Sequence, residues 1–187
     1  TAVLPFDNMS KDEDQEYFVD GITEDIITEL SRYHDLFVIA RNSTFTYKGK
    51  AVHVTEVGRD LGVRYIVEGS VRKAGNRVRI NTELTEGATD GHIWAARYDR
   101  DLTDIFAVQD EIATTIVRQL KVKLLPEEGK AIEQAPTANV DAYTHYLRGR
   151  ESYHIASRAN HLMARQSFVR ATELDPRYAR AYAGIAI

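Results

Sequence analysis

The sequence predicts an α/β fold, a mixed β-sheet covered by helices, followed by an all-α helical hairpin. Short apolar segments rich in β-branched residues flank a segment of helical periodicity near the N-terminus. Two strictly alternating segments follow, and the C-terminal segment has the small-residue spacing of paired helices. With 187 residues, 43% of them hydrophobic, the chain can bury a core as one large domain or two small ones.

The N-terminal third predicts a parallel unit. Residues 1–6, "TAVLPF", form a short apolar run that ends at Pro5 and is typical of a buried strand. Residues 17–30 have the apolar spacing of a helix, and residues 36–40, "LFVIA", are β-branched and too short for one. Strand, helix and strand in this order predict a right-handed parallel βαβ unit.

The middle of the chain predicts an antiparallel meander. A short helix over 54–62 can end at Gly62, and the alternating segments 63–73 and 77–86 are separated by the turn sequence "AGN". A further strand is expected over residues 92–99. The polar faces of the two alternating strands predict cross-strand ion pairs between one set of charges, Arg77, Arg79 and Glu83, and another, Glu68 and Arg72.

A helix over residues 101–124 is expected to close this part of the chain. Thr103 or Asp101 is placed to cap its N-terminus. Its buried face is predicted to consist of apolar residues at a spacing near 3.6: Ile105, Val108, Ile112, Ile116 and Leu120.

Four carboxylates on the first predicted helix raise the question of a catalytic or metal site. At 100° per residue, Asp20 and Glu24 lie on one flank of the apolar stripe, whereas Asp25 and Glu29 lie on the other. One helix cannot bring the two flanks together, as a metal or paired-carboxylate site requires. The preferred interpretation is a solvated flank with local ion pairs. The alternative is a contact surface formed by Asp25, Glu29 and Arg32.

No residue pattern predicts a catalytic, cofactor or metal site. The chain has no cysteine, its six histidines are scattered, and no Gly-rich phosphate loop appears. The net charge of −4 argues against binding to nucleic acid. No segment is apolar over the length needed to span a membrane.

A change in charge suggests a domain boundary at Pro136. Residues 137–187 carry seven basic and four acidic side chains, whereas the preceding part carries 17 basic and 24 acidic ones. The chain is therefore divided into a domain over 1–125, a linker over 126–137 and a helical domain over 138–187.

The helical domain has the signature of a tetratricopeptide repeat, in which small residues let two helices approach and a proline ends the second. "HIASRAN" makes the predicted loop about three residues longer than usual, and "YARAYAGIAI" begins a further repeat. Because about three repeats are needed for a stable groove, Tyr182 and Ile185 are expected to be exposed or to contact another molecule. The signature residues are Tyr146, Gly149, Tyr153, Ala164, Phe168, Ala171 and Pro176.

Residues 2–112, from "AVLPFDNMS" through "EYFVDGITEDIITELSRY" and "VRYIVEGSVRKAGNRVRINTELTE" to "DLTDIFAVQDEI", resemble the TolB-N-like domain found beside tetratricopeptide repeats in bacteria. Such pairs lie C-terminal to class III adenylate/guanylate cyclase domains, or to winged-helix domains in CadC-like regulators. The resemblance implies a non-catalytic regulatory or protein-interaction fragment of a multidomain signalling protein, with cyclase favoured. It supplies no catalytic residues, and it implies a protein partner or self-association through the repeats.

Three alternatives stay open. The fragment is a sensor part of a winged-helix regulator, cytoplasmic or, with an upstream membrane span, periplasmic. It is instead a small-ligand sensor, with a crevice near Phe6–Asn8 and Ala40–Ser43, at the carboxyl ends of the predicted parallel strands. Or it is an oligomerisation scaffold that pairs through a strand edge or the repeat groove.

Overall fold

A computed structural model of the protein describes residues 1–10, 12–120 and 136–186. Its sheet has five strands, which are β1 (Ala2–Val3), β2 (Asp7–Asn8), β3 (Tyr65–Ala74), β4 (Arg77–Glu86) and β5 (Gly91–Asp101). The helices are α1 (Glu16–Leu30), α2 (Arg41–Thr44), α3 (Val54–Asp60), α4 (Ile105–Gln119), α5 (Val140–His154), α6 (Arg158–Leu174) and α7 (Ala179–Ile185). Most of the predicted linker, up to residue 135, and the predicted helix beyond residue 120 lie outside the described residues, so the division into domains stays a prediction.

The sheet is mixed, which confirms the predicted α/β class with a mixed sheet. β1 and β2 both pair parallel with β3, and β3, β4 and β5 follow one another antiparallel. The register with β3 changes by one residue between β1 and β2, on either side of Pro5. Because proline has no N–H to donate, it interrupts the ladder without ending the extended segment.

The predicted second strand at residues 36–40 is wrong. The segment makes the two hydrogen bonds of one parallel bridge: Ile39 N donates to Thr1 O at 2.9 Å, and the Thr1 amino group donates to Phe37 O at 2.6 Å. The chain then turns into α2 at Arg41, so the bridge is not extended into a ladder. The parallel partner of β1 is β3, which follows much later in the chain.

The meander is observed with its two-residue turn at Gly75 and Asn76, where Gly75 has a φ of +57°. The predicted ion pairs between β3 and β4 are wrong, because the register places like charges opposite each other. Glu68 lies opposite Glu83, and Arg72 lies opposite Arg79. Arg79 Nε pairs instead with Asp99 on β5, at 2.6 Å. Arg79 of β4 therefore forms its ion pair with β5 and not with β3.

Helices α1 and α4 pack on one face of the sheet and bury their predicted apolar stripes there. Phe18, Ile22, Ile26 and Leu30 of α1 are fully buried there. On α4, the predicted residues from Ile105 to Ile116 are also buried, and Leu120 is partly buried. Neither Thr103 nor Asp101 caps α4, because a 3-10 turn at Leu102–Asp104 precedes the helix and Asp104 occupies the cap position.

A smaller apolar cluster lies on the opposite face of the sheet, beneath α3. It contains Ala2, Leu4, Val57, Val63 and Ile66. Since side chains alternate along a strand, Ile66 and Glu68 of β3 point to this face, whereas Val67 belongs to the main core.

Helices α5 and α6 form an antiparallel hairpin, with α7 packed beside it. The Asn139 side chain caps α5, and the Ser157 side chain caps α6. The loop is residues 155–157, shorter than the predicted "HIASRAN". A Cβ added at Gly149 would lie 2.5 Å from the Phe168 ring, so the two helices approach closely at this position.

Some of the other signature residues lie where the helices of the hairpin pack together, and others lie at the ends of the helices. Ala164 and Ala171 are buried in it, and the Tyr146 ring lies between Phe168 and Tyr178. Tyr153 is exposed at the end of α5, and Pro176 follows the end of α6. The predicted exposure of Tyr182 is confirmed, at 50%, whereas Ile185 is half-buried.

Candidate functional site

Helix α5 packs directly on α1, and the two helices share an apolar contact. Leu147 of α5 lies against Gly21 of α1, where an added Cβ would be only 2.5 Å from a Leu147 methyl group. Tyr143 is fully buried, and its ring meets Phe106 of α4 edge-on with centroids 4.7 Å apart. The helical hairpin therefore shares one core with the sheet and its covering helices.

Asp25 of α1 is buried beneath α5. Its side chain accepts hydrogen bonds on Oδ2 from the Tyr143 hydroxyl at 2.5 Å and from Gln109 Nε2 at 3.3 Å. On Oδ1 it accepts a hydrogen bond from Arg150 Nη1 at 2.8 Å. With 3% of its surface exposed, Asp25 is not part of a solvated flank, and that interpretation is wrong for this residue. It joins α1, α4 and α5.

Arg150 links the two flanks of carboxylates. Its Nη2 lies 2.5 Å from Glu24 Oε2, while its Nη1 binds Asp25. One helix cannot bring these acids together, but a guanidinium inserted from α5 reaches both. Glu24 also pairs with Arg41 Nε at 3.0 Å and lies 3.6 Å from His154 Nε2. We call this group, Glu24, Asp25, Arg41, Arg150 and His154, the charged interface.

Glu29 and Arg32 continue the interface toward α7. Arg32 Nη1 lies 3.2 Å from Glu29 Oε2, the pairing expected at a spacing of three residues. Arg180 of α7 lies 3.5 Å from Glu29 and 3.9 Å from Asp25. Glu29 is 7% exposed, so the solvated-flank interpretation is wrong for it as well.

The pKa values of these carboxylates differ with their partners. Burial acts to raise the pKa of Glu24, but the His154 hydrogen bond and the charges of Arg150 and Arg41 lower it to about 2. Burial outweighs the nearby arginines at Glu29 and raises its pKa. Burial, together with the charge of Glu29, also raises the pKa of Asp110 on α4 to about 6. Glu24 is therefore the carboxylate that the arginines stabilise most clearly as an anion.

The arrangement suits a contact between helices. Each interface carboxylate forms an ion pair with an arginine. Over the ranges that the structure describes, no three or more His, Asp or Glu side chains converge as metal ligands do. Sequence reasoning missed Arg150, Arg180 and Tyr143, because they lie more than 100 residues from α1. One indication of these residues is present in the sequence, because they lie on predicted helices whose small residues allow close packing.

A cavity lies partly where a ligand crevice was predicted. It has a volume of about 410 Å³ and includes Pro5 and Asp7. Its opposite wall is the segment 47–52, instead of the predicted Ala40–Ser43, because residues 36–40 are not a strand. Across the described residues, no helix is both long and apolar enough to cross a membrane.

Two solved structures are similar to part of the chain. Lipoprotein GNA1162 from Neisseria meningitidis is 16% identical, with 66% of this chain and 97% of that chain covered and a TM-score of 0.46. TolB from Acinetobacter baumannii is 15% identical, with 64% of this chain and 27% of that chain covered and a TM-score of 0.49.

A curated relative from Rhizobium meliloti (strain 1021), named "Putative adenylate cyclase 3", is 52% identical over 186 residues. The match covers 100% of this chain and 32% of the relative, so the chain spans about a third of that protein's length. A family model described as the second domain of HilA/YgeH-like transcriptional regulators matches residues 1–121. The chain therefore belongs to the family of HilA/YgeH-like regulator second domains.

Proposed function

We propose that this chain is a non-catalytic regulatory part of a multidomain bacterial signalling protein of the adenylate/guanylate cyclase type. Two findings support the proposal. The chain matches a third of a relative that is named as a cyclase, and its family is described as the second domain of HilA/YgeH-like transcriptional regulators. In this proposal, the helical segment binds a protein partner. The sheet with α1 and α4 transmits the resulting conformational change to the rest of the protein.

The observation that carries this proposal is the position of Arg150 between Glu24 and Asp25. If α5 moved away, Asp25 would lose Arg150, and Glu24 would keep only Arg41 of its two described guanidinium partners. Breaking one buried ion pair in this way costs about 3–5 kcal/mol. An intermediate position of α5 is therefore unfavourable, and a displacement of α5 must be accompanied by a rearrangement of α1. This is the physical requirement for coupling two sites through packed elements.

We further propose that α5, α6 and α7 are a tetratricopeptide-type hairpin and the start of a further repeat. The close approach at Gly149 and the buried alanines support this assignment. The predicted contact surface, formed by Asp25 and Glu29 of α1 and by Arg32 just after its end, is then the place where α5 and α7 act. Binding of a protein partner, or self-association, would bias the position of these helices.

A chimera tests the proposal. The region of the Rhizobium meliloti relative that matches this chain is replaced by this chain, either unchanged or with Arg150→Met, and formation of cyclic AMP and cyclic GMP is measured. We expect Arg150→Met to change the rate by at least about fivefold, the lower end of typical allosteric coupling. The control is Arg170→Met, because Arg170 lies on the surface of α6 and makes an exposed pair with Glu173. An unchanged rate, or cyclase activity of the isolated chain, would refute the proposal.

The family match supports one second candidate, a regulatory part of a winged-helix transcriptional regulator. The charged interface would serve the same role there, with DNA binding as the output. The chimera distinguishes the two, since a cyclic-nucleotide response to Arg150→Met excludes a purely transcriptional role for this region.

A further inference from the structure

The cavity beside Pro5 lies on the face of the sheet opposite the charged interface. Its volume of about 410 Å³ falls within the range of small-molecule sites, roughly 300–1,000 Å³. Leu4, Pro5 and Val52 supply an apolar wall, and Tyr47 contributes an aromatic ring with a hydroxyl. The polar lining comes from Asp7, Lys50 and Glu68.

Glu68 is a carboxylate without an ion-pair partner among the described residues, although the charge of His92 acts on it from β5. It is half-buried on β3 and makes no ion pair or side-chain hydrogen bond with any residue that the structure describes. Its cross-strand neighbour is Glu83, also a carboxylate. Like charges directly opposite each other destabilise a sheet. Burial, with the charges of Glu83, Asp90 and Asp7, raises the pKa of Glu68, and these effects outweigh the charge of His92, which acts to lower it.

The other charged groups of the cavity do not compensate Glu68. Lys50 is exposed at the rim and pairs with no described acid. Asp7 is also exposed and is likewise unpaired within the described ranges. Two carboxylates and one ammonium leave the lining with one uncompensated negative charge. A ligand that fits must therefore bring a positive charge to Glu68 and a short hydrocarbon part to the wall at Leu4, Pro5 and Val52.

We propose that this cavity binds a small organic cation, an amine or guanidinium attached to a short aliphatic chain. Glu68 is the counter-ion inside the cavity, and Asp7 attracts the cation at its mouth. A charge-assisted bond from an ammonium or guanidinium group to Glu68 supplies the pairing that the protein's own residues leave unmade. The aliphatic part displaces water from the apolar wall.

The test is titration calorimetry on the whole chain with putrescine and with agmatine, compared with butanediol, an uncharged probe of similar length. We expect saturable binding of at least one of the two amines and none of the diol. Glu68→Gln is expected to weaken binding at least about tenfold, the loss of roughly 1.4 kcal/mol that one charge-assisted contact supplies. Ala51→Trp, which fills the cavity from an exposed position, is expected to abolish binding as well.

Glu83→Gln is the matched control, since Glu83 lies beside Glu68 on the next strand but does not line the cavity. An equal loss in Glu68→Gln and Glu83→Gln would mean diffuse attraction to an acidic surface and would overturn the proposal. Absence of binding by both amines would also overturn it. Neither outcome bears on the cyclase-type regulation proposed above, which is tested at Arg150 on the other side of the sheet.

Discussion

The carboxylates on the two sides of the sheet differ in whether they have an ion-pair partner. Beneath α5, Glu24 and Asp25 are covered by a guanidinium from Arg150. On the α3 face, Glu68 is half-buried opposite Glu83 and forms no ion pair with any described residue. The pKa of Glu24 is lowered to about 2, whereas that of Glu68 is raised.

This difference separates two uses of buried charge. A carboxylate that has a cation across a helix contact makes that contact specific, because losing the partner costs more than the pair contributed. A carboxylate left without a cation lowers the stability of the fold, so it is a candidate for an interaction with something outside the chain. Glu24 and Asp25 therefore support the proposed coupling between helices, and Glu68 supports the proposed ligand site.

The largest expected effect comes from Arg150→Met. The substitution keeps most of the aliphatic side chain but leaves Glu24 and Asp25 without their shared cation. We expect the free energy of unfolding to fall by about 3–5 kcal/mol, as for other broken buried ion pairs. Urea denaturation monitored by tyrosine fluorescence and circular dichroism measures this change.

Arg170→Met serves as the control for Arg150→Met. Arg170 pairs with Glu173 three residues away on the surface of α6, and such pairs contribute at most about 0.5 kcal/mol. If the two variants lost similar stability, the charged interface would not hold α5 on α1, and the contrast between the two faces would fail.

The second prediction concerns Glu24 and acid pH. Its folded pKa, about 2, lies below the ordinary value of 4.5, so its stabilising contribution is present above pH 4.5 and is lost as pH falls toward 2. At neutral pH, Glu24→Gln should lower the free energy of unfolding by about 2 kcal/mol. The difference between wild type and variant, measured by urea denaturation at several pH values, should shrink from pH 4.5 downward. A difference independent of pH would contradict the pairing.

The periodicity of apolar residues predicted the helices and strands that are determined by residues close together in the sequence. The apolar stripe of α1, from Phe18 to Leu30, and the alternating strands of the meander are both observed. Residues 36–40 were misassigned because a β-branched run specifies an extended backbone but not a partner strand. Among the described residues, the strand-like pairing of this segment is limited to the two hydrogen bonds with Thr1.

The candidate sites could not be predicted in the same way, because each depends on which residues meet across the fold. Asp25 and Arg150 are 125 positions apart, and helical angles on α1 alone showed the acids to be separated without revealing the cation between them. At Glu68, alternation gave the correct face of the strand. The partner depended on the register, which sets Glu68 against Glu83 and not against an arginine.

The smallest expected effect is at Glu68, and it has the opposite sign to that at Glu24. The folded pKa of Glu68 is raised, so its ionisation disfavours the fold, and stability decreases as pH rises above its ordinary value of 4.5. Near neutral pH, Glu68→Gln should therefore raise the free energy of unfolding, by less than about 1 kcal/mol, the size of a cross-strand charge effect. Urea denaturation at pH 4 and pH 7 measures it, with the gain expected only at pH 7. Glu83→Gln should gain less, because Glu83 Oε2 lies 3.4 Å from His92 Nδ1. A loss of stability in Glu68→Gln would mean that Glu68 already has a favourable partner within the chain, and the contrast with Glu24 would no longer separate internal pairing from ligand binding.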